Sequence, residues 1–321
     1  SRLTPMSTRE RRDRSNESDR FLSKLFHDAV HTHCETDTGK EISLAAVGGY
    51  GRGELSPGSD LDILIVHNGK IGQEKLKAIV NDLLYPLWDK NSVDHSVRTR
   101  SETKEAAASD LRVATGLLDI RFIAGNADLV GAVRADSLDY WRKDAKRNLP
   151  ELEKTLSERH ERAGELAYLL EPDLKEARGG LRDIQALRAI SLSGAVQVPL
   201  EKISWAESTL NNVREALHTA SGRGKDRLLF QEQDKVAKIL NYKDADAMMS
   251  DVARAARTVD YLLDYTWHAL EHKGKDGLGR IMRRPRVVNV AKNVSAVERE
   301  IIIDSLTSFN EDPVVGLRAA A

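Results

Sequence analysis

The stretch AVGGYGRGELSPGSDLDILIV, residues 46–66, constrains the fold of this chain more than any other. It places Gly48 and Gly49 after one short apolar run, and Asp60 and Asp62 at the start of the next. Short apolar runs bounded by glycine, proline and serine are typical of buried strands joined by turns. Residues two apart in a strand face the same way, so the two aspartates project together. The sequence therefore predicts two strands, a glycine-rich turn and a pair of carboxylates on one face.

Two carboxylates on one face suit a hard divalent cation. Mg²⁺ is commonly held by one or two carboxylates together with substrate phosphates, and two such ions assist phosphoryl transfer. Gly48 and Gly49 would let a phosphate approach the backbone at the start of a short helix. Ser59 adds a hydroxyl for the same phosphates. Arg52 either adds positive charge there, is simply exposed, or bridges to Glu54.

The first half of the chain has the pattern of an α/β unit. Residues 41–125 alternate short apolar runs with segments of helical spacing, which predicts helices packed on a small sheet. Within it, residues 109–125 begin with a Ser-Asp helix start and end at Gly125, so we expect one helix there. Residues 1–20 are polar and predict an arm, with the first helix beginning near residue 21.

The second half is predicted to be helical. From about residue 126 we expect no further strand. Helical spacing recurs in three later segments, near residues 206–220, 226–241 and 244–272.

Composition excludes several other classes of protein. The 49 basic and 50 acidic residues leave a net charge of −1, so no overall positive field exists to attract nucleic acid. Cys34 is the only cysteine, which excludes a disulfide within the chain and a cysteine-rich zinc site, and favours the cytoplasm. No apolar run approaches the ~18 residues that a membrane span needs. We expect a cytoplasmic protein that binds neither nucleic acid nor membrane.

The segment GGYGRGELSPGSDLDIL resembles the catalytic signature of DNA polymerase β-type nucleotidyltransferases, and more specifically that of the bacterial PII uridylyltransferase/uridylyl-removing enzymes. Four further stretches resemble the same family in the same order: LWDKNSVDHSVRT, SDLRVATGLLDIRFIAG, EPDLKEARGGLRDIQAL and DRLLFQEQDKVAKILNY. The resemblance covers residues 21–272. It implies an α/β fold, in which a polymerase β-like domain with a small mixed sheet precedes an all-α helical-bundle domain.

The same resemblance implies an activity. The chain would transfer a nucleoside monophosphate from an NTP to a tyrosine of the PII nitrogen-signal protein and release pyrophosphate. Asp60 and Asp62 would bind two Mg²⁺ ions, and the Gly48–Gly49 turn with Ser59 would hold the β- and γ-phosphates. The family usually uses UTP and some relatives use ATP, and the motif does not decide between them. A glutamine synthetase adenylyltransferase-type enzyme and a catalytically silent nucleotide-binding regulator are the alternatives.

A third carboxylate is normally present in this superfamily on a later strand. Asp94, in VDHSVRT, is the candidate here. It would complete the metal site or act as the base. The alternative is an exposed residue at the end of a strand.

The stretch EPDLKEARGGLRDIQ carries the second group of candidates. The glycine pair 179–180 precedes a helix start with free N–H groups, and Lys175 and Arg182 bring positive charge to the nucleotide. Asp173 and Asp183 would orient these two cations. We expect a lid over the nucleotide, an interdomain hinge held by ion pairs, or both.

One cluster resembles a metal site without having its remaining ligands. His27, Asp28, His31 and His33 include the His-Asp pair of HD phosphohydrolases, but they precede the α/β unit on a probable amphipathic helix. We expect them to pack or lie on the surface. Cys34 has no recognisable base partner and is expected to be structural.

We expect four segments: a polar arm (1–20), a nucleotidyltransferase domain (21–140), a helical domain (141–275) and a linker toward an HD domain (276–321). The family's HD domain and two ACT domains find no room in the chain. It would then be the N-terminal transferase portion, without deuridylylation or direct glutamine regulation. The basic segment RIMRRPR near the end has no assigned role.

Overall fold

The computed structural model describes residues 6–34, 40–88, 93–222, 224–275, 287–291, 294–297 and 300–303. The chain divides into two compact units, Ser1–Leu270 and Glu271–Ala321. In the described part of the chain, no helix is long and apolar enough to span a bilayer.

Helix α1, Met6–His33, begins well before the residue near 21 that the sequence indicated. The expected polar arm is therefore helical from Met6 onward. Arg11 and Ser15 are buried although they belong to this polar segment. Arg11 pairs there with Glu215, some two hundred positions further on, and no local pattern reveals such a partner.

A small mixed sheet forms the centre of the first half, as predicted, and it has four strands. Its strands are β1 Ile42–Ala46, β2 Leu61–His67, β3 Val93–Thr99 and β4 Arg121–Gly125. The spatial order is β3-β2-β1-β4. β1 is antiparallel to β2 and β4, whereas β2 is parallel to β3.

The prediction of one helix over residues 109–125 is wrong. Asp110 caps α5, Leu111–Leu117, and the chain then turns into β4. The apolar residues of this segment fit helical spacing and strand alternation equally, and pairing with β1 selects the strand. Helix α4, Arg100–Ser109, precedes α5 and begins with a capping box at Thr99.

The helices of the first half bury both faces of the sheet. They are α2 Gly48–Gly51, α3 Gln73–Trp88, α4, α5 and α6 Ala127–Lys143. Along β2 successive side chains divide between two cores. Ile63 and Ile65 pack in the core that α1 and α3 cover, and Leu64 and Val66 pack in the core that continues into the later helices. Each such side chain stabilises the fold by about 1.5–3 kcal/mol.

Between residues 126 and 275, the described residues form helices joined by turns and short 3-10 segments, as predicted. The long helices are α7 Ala145–Ala163, α8 Leu181–Ser193, α9 Ser204–Ser221, α10 Phe230–Ile239 and α11 Ala245–Lys275. Their apolar faces share one core with β2 and α6.

The expectation that no strand follows residue 126 is wrong for the second unit. Strands β5 Val287–Ala291, β6 Val294–Val297 and β7 Glu300–Ile303 form an antiparallel sheet. Valine and isoleucine, which favour strands, dominate these segments. The basic segment at residues 280–286 lies outside the described residues.

Candidate active site

The acids lie side by side on two neighbouring strands. Asp62 of β2 is paired in register with Asp94 of the parallel strand β3, and Asp60 immediately precedes β2. Asp62 is half-buried, whereas Asp60 and Asp94 are exposed. Side chains paired in register on adjacent strands project to the same face. The structure therefore places all three predicted acids together at the beginning of strands β2 and β3.

Asp62 also has two cations from the helical half within electrostatic reach. Its pKa is raised, first by burial and then by the charges of Asp94 and Asp60, while Lys175 and Arg182 lower it. Burial disfavours the carboxylate, and like charges nearby disfavour it further. Residues from both halves of the chain thus meet around one carboxylate.

Gly48 lies directly against this carboxylate. Its φ is +55°, and an added Cβ would lie 3.2 Å from Oδ2 of Asp62. The neighbouring Val47 N–H donates to the Asp62 carbonyl at 3.0 Å, which ties the turn to β2. In the described residues the amides of Gly48 and Gly49 have no hydrogen-bond partner. These two amides are therefore available to an anion beside the acids.

Arg52 follows the bridging alternative. Its Nε donates to Glu54 at 2.7 Å and its Nη1 pairs with Asp119, with the side chain largely buried. These two carboxylates raise the Arg52 pKa despite its burial. Its Nη2 points toward the turn, since a Cβ at Gly49 would lie 3.7 Å from it. Two nitrogens of Arg52 thus bind the carboxylates of Glu54 and Asp119, and the third lies near the backbone of the turn at Gly49.

Ser59 helps to shape the loop that leads into β2. Its hydroxyl accepts a hydrogen bond from the Ser56 N–H at 3.0 Å. The Ser56 hydroxyl in turn accepts from Arg214 of α9 at 3.1 Å. The backbone at Gly224 approaches the Gly58 carbonyl so closely that a Cβ there would lie 2.1 Å from its oxygen. The helical half therefore holds the loop before the two aspartates.

Asp226 connects this loop to Lys175. Its carboxylate accepts from Arg214 Nε at 2.6 Å and from His218 at 2.8 Å, and Lys175 Nζ lies 4.0 Å away. These partners lower the Asp226 pKa to about 2 despite the opposing effect of burial. Burial is the main cause of a lowered Lys175 pKa, with the charges of Arg182 and Arg214 acting in the same direction.

The helix start after the glycine pair does not offer free N–H groups. The amides of Leu181 and Arg182 donate to the carbonyls of Leu174 and Lys175 at 3.0 and 3.1 Å. The prediction of free N–H groups at this helix start is therefore wrong. The chain folds back on itself here, and its own carbonyls accept these hydrogen bonds.

Asp173 and Asp183 do not orient Lys175 and Arg182 through side-chain contacts. Asp173 accepts from the amides of Lys175 and Glu176 and so shapes the turn. Asp183 is fully buried and accepts from Arg159, His160 and the Gly179 N–H. Arg182 instead contacts Glu176 at 3.2 Å. Both acids act on the backbone of the loop that carries the cations.

Asp226, Arg214 and Asp119 were not among the sequence-predicted site residues. Asp119 ends the turn before β4, Arg214 lies on α9, and Asp226 lies between α9 and α10. Some of their partners are far away in sequence, as with Arg214 and Ser56, which are separated by 158 positions. A short sequence window contains no signal for pairs of this kind.

The histidine cluster on α1 has the surface position that the sequence indicated. His27 and His31 are exposed, and Asp28 pairs with Lys24 on the same helix. His33 contacts Asp82 of α3 at 2.7 Å. Cys34 is half-buried beside the core that α1 covers.

The three acids suit a divalent cation but do not form a complete metal site by themselves. Within the described residues, no three Asp, Glu, His or Cys side chains converge closely enough to hold a metal unaided. Asp60, Asp62 and Asp94 offer only oxygen donors, and their mutual repulsion is what a divalent cation would relieve. Gly48 leaves free space against Asp62 where a side chain would intrude.

The fold and the site define a nucleotidyltransferase. The profile of the nucleotidyltransferase domain matches residues 32–104, which include the turn and the three acids. The profile of the GlnD PII-uridylyltransferase family matches residues 147–193 and 198–267. The chain belongs to the PII-uridylyltransferase family.

Curated relatives agree with this assignment. A bifunctional uridylyltransferase/uridylyl-removing enzyme of Streptomyces coelicolor is 43% identical over 95% of this chain and 37% of its own length. Proteins of the same name from Mycobacterium tuberculosis and Corynebacterium glutamicum are 37% and 34% identical, over 87% and 68% of this chain and 36% and 31% of their own. The chain thus spans about a third of the length of these relatives.

Proposed function

We propose that the chain transfers UMP from UTP to a tyrosine hydroxyl of a PII-type signal protein and releases pyrophosphate. One observation carries this proposal, which is that Asp62 pairs in register with Asp94 and feels the charges of Asp60 and of two cations from the helical half. Carboxylates suit Mg²⁺, and cations within electrostatic reach of them suit a triphosphate. The choice of the uridylyl group follows the names of the relatives, which are uridylyltransferases.

Each group then has one task. Asp60 and Asp62 would hold the magnesium, which when bound would lower the pKa of an attacking hydroxyl and neutralise phosphate charge. The free amides of Gly48 and Gly49, with Ser59, bind the β- and γ-phosphates. Lys175 and Arg182 contact the same phosphates from the helical half, across the proposed domain boundary near residue 140.

The reaction balances without a further co-reactant. The tyrosine oxygen attacks the α-phosphorus and forms the new P–O bond. The bond between the α-phosphorus and its bridging oxygen breaks, and pyrophosphate leaves with that electron pair. Asp94, exposed beside Asp62, would accept the phenolic proton. A single cysteine and a PII partner are both compatible with reaction in the cytoplasm.

Intact-mass spectrometry tests the proposal directly. A PII protein is incubated with the chain, Mg²⁺ and one NTP at a time, and its mass is recorded. A gain of one UMP supports the proposal, whereas a gain of one AMP replaces UTP by ATP. Modification of glutamine synthetase instead of PII would assign the chain to the adenylyltransferase type. A folded chain that modifies neither protein would be a silent regulator, and the proposal would be wrong.

A matched pair of variants ties the activity to the acids. Asp62→Asn should reduce transfer at least ~100-fold, because metal binding and charge neutralisation both depend on it. Asp139→Asn, an exposed aspartate paired only with Lys143 on the same helix, should leave it unchanged. Near-normal turnover in Asp62→Asn would overturn the metal assignment.

A further inference from the structure

The turn between β1 and β2 is too short to hold its own shape. Helix α2 has only four residues, three of them glycine. Such a helix cannot nucleate alone, and glycine loses the most conformational freedom on ordering. Its geometry must therefore be imposed by contacts from elsewhere in the fold.

Helix α1 supplies the first of these contacts. The side chain of Tyr50, which belongs to the turn, is fully buried, and its hydroxyl donates to the Asp19 carboxylate at 2.6 Å. Arg121 of β4 pairs with the same carboxylate. Arg121 also donates to the carbonyls of Gly51 and Tyr50 at 3.1 and 3.2 Å. One Asp–Arg pair thus holds both the backbone and the side chain of α2.

A second contact lies one turn earlier on α1. Arg14 donates to the Leu55 carbonyl at 2.6 Å, just beyond the turn. Nη2 of Arg14 lies 3.1 Å from the carboxylate of Glu215 on α9, and Nη1 of Arg11 lies 2.9 Å from the same carboxylate. Arg11 and Glu215 are almost completely buried. Helix α1 therefore connects the turn to the helical half.

We infer that Asp19 and Arg14 are positioning residues for the phosphate-binding turn, and that the polar first half of α1 belongs to the nucleotidyl-transfer apparatus. This inference rests on the proposed function, because it assigns the turn to the NTP phosphates. Neither residue touches substrate. Each acts by keeping the amides of Gly48 and Gly49 aimed at the site, where small misplacements are costly.

Two measurements on Asp19→Asn test the inference. Hydrogen exchange of the peptide covering residues 46–55 should become at least ~10-fold faster, with no comparable change in β3 or α8. The KM for the NTP should rise about tenfold while kcat changes less than about threefold, since ground-state phosphate binding is what is lost. Asp19→Glu, which keeps the charge opposite Arg121, should recover most of both effects.

Asp13→Asn is the matched control on the same helix. Asp13 is exposed and paired only with Arg9, at 3.8 Å, so neither exchange nor KM should change. Equal effects in the two variants, or unchanged exchange in Asp19→Asn, would overturn the inference. If Asp19→Asn does not fold, Tyr50→Phe removes a single hydrogen bond and should still speed exchange in the turn. Exchange needs no nucleotide, so its outcome stands apart from whether the proposed transfer occurs.

Discussion

The surroundings of Asp62 disfavour the ionised form of its carboxyl group. The folded-state pKa is raised, so the folded chain keeps this proton to higher pH than the unfolded chain does. The free energy of unfolding therefore falls as pH rises from the ordinary aspartate value through the folded one. The ionised form of Asp62 costs stability, and a bound cation would offset that cost.

Magnesium should therefore stabilise the protein through this residue. We expect millimolar Mg²⁺ to raise the melting temperature of the wild-type chain at pH 7.5. Asp62→Asn should melt higher than wild type without metal, because the repulsion from Asp60 and Asp94 is gone, and should respond little to Mg²⁺. Differential scanning calorimetry with and without Mg²⁺ measures both. Equal Mg²⁺ shifts in the two proteins would contradict the assignment.

Gly48 and Gly53 allow backbone strain to be separated from contact with the site. Both have positive φ, +55° and +73°, but a Cβ at Gly48 meets Asp62 while at Gly53 nothing lies within 4 Å. Alanine at either position should cost about 1–2 kcal/mol in urea denaturation. Only Gly48→Ala should also lose nucleotidyl transfer and the Mg²⁺ response. Loss of both in Gly53→Ala would mean that general strain, not the contact, is responsible.

At the level of elements, the loop before α8 is ordered by its neighbours. Asp183, beneath the loop, has a lowered pKa because His160, Arg159 and the Gly179 amide outweigh its burial. Gly179 itself passes so close to α11 that a Cβ would lie 2.5 Å from the Ala256 carbonyl oxygen. The position of Lys175 is thus set by packing on two helices. These contacts come from helices outside the stretch 171–185, so that motif alone does not predict them.

Asp226 orders the same loop from the other side, and its removal should be costly. A pKa lowered to about 2 corresponds to about 2 kcal/mol of stability, complete above the ordinary aspartate pKa and lost only as pH falls toward about 2. Asp226→Asn should therefore lower the free energy of unfolding by about that amount at pH 7 and at pH 5 alike. The deficit should shrink only below about pH 4.

Urea denaturation at pH 7 and 5, with acid-unfolding curves, checks this prediction. Asp246→Asn, at an exposed position near the start of α11, serves as the control. A deficit that instead grows as pH falls would contradict the assigned sign.

At the scale of the whole molecule, an ion-pair network joins the glycine turn to the helical half. Arg188 of α8 contacts Glu54 at 3.1 Å and also pairs with Glu207 of α9. Arg52 links Glu54 to Asp119. The network holds three carboxylates and two guanidinium groups, so loss of one arginine leaves an excess of negative charge in a largely buried place.

Arg188→Ala should therefore destabilise the chain by about 1–3 kcal/mol at pH 7, between the costs for an exposed and a fully buried pair, because its partners are partly buried. The pKa of Glu207 is already raised by burial. Protonation of this glutamate should relieve the variant, so its deficit should be smaller at pH 5 than at pH 7. Guanidinium denaturation at the two pH values gives the comparison. Arg112→Ala, which breaks an exposed pair with Asp110, should have little effect at either pH.

Several features were predictable because their signals are local. β2 and the acids at its start follow from alternation and spacing, and Gly48 follows from its place between two apolar runs. β4 was missed because its apolar residues fit two periodicities, and only its partner strand β1 decides between them. The strands of the second unit were missed for a similar reason, since each has five residues or fewer.

The amino-acid sequence by itself determined the chemistry at the edge of the sheet: two carboxylates on one face, a third on the next strand, and glycines where a phosphate can approach. The tertiary structure decided what holds that chemistry in place. Glu54 and Arg188 are 134 positions apart, and Asp19 and Arg121 are 102 apart. Contacts of this kind depend on which surfaces meet after the cores pack, and that is a property of the whole fold and not of any short segment.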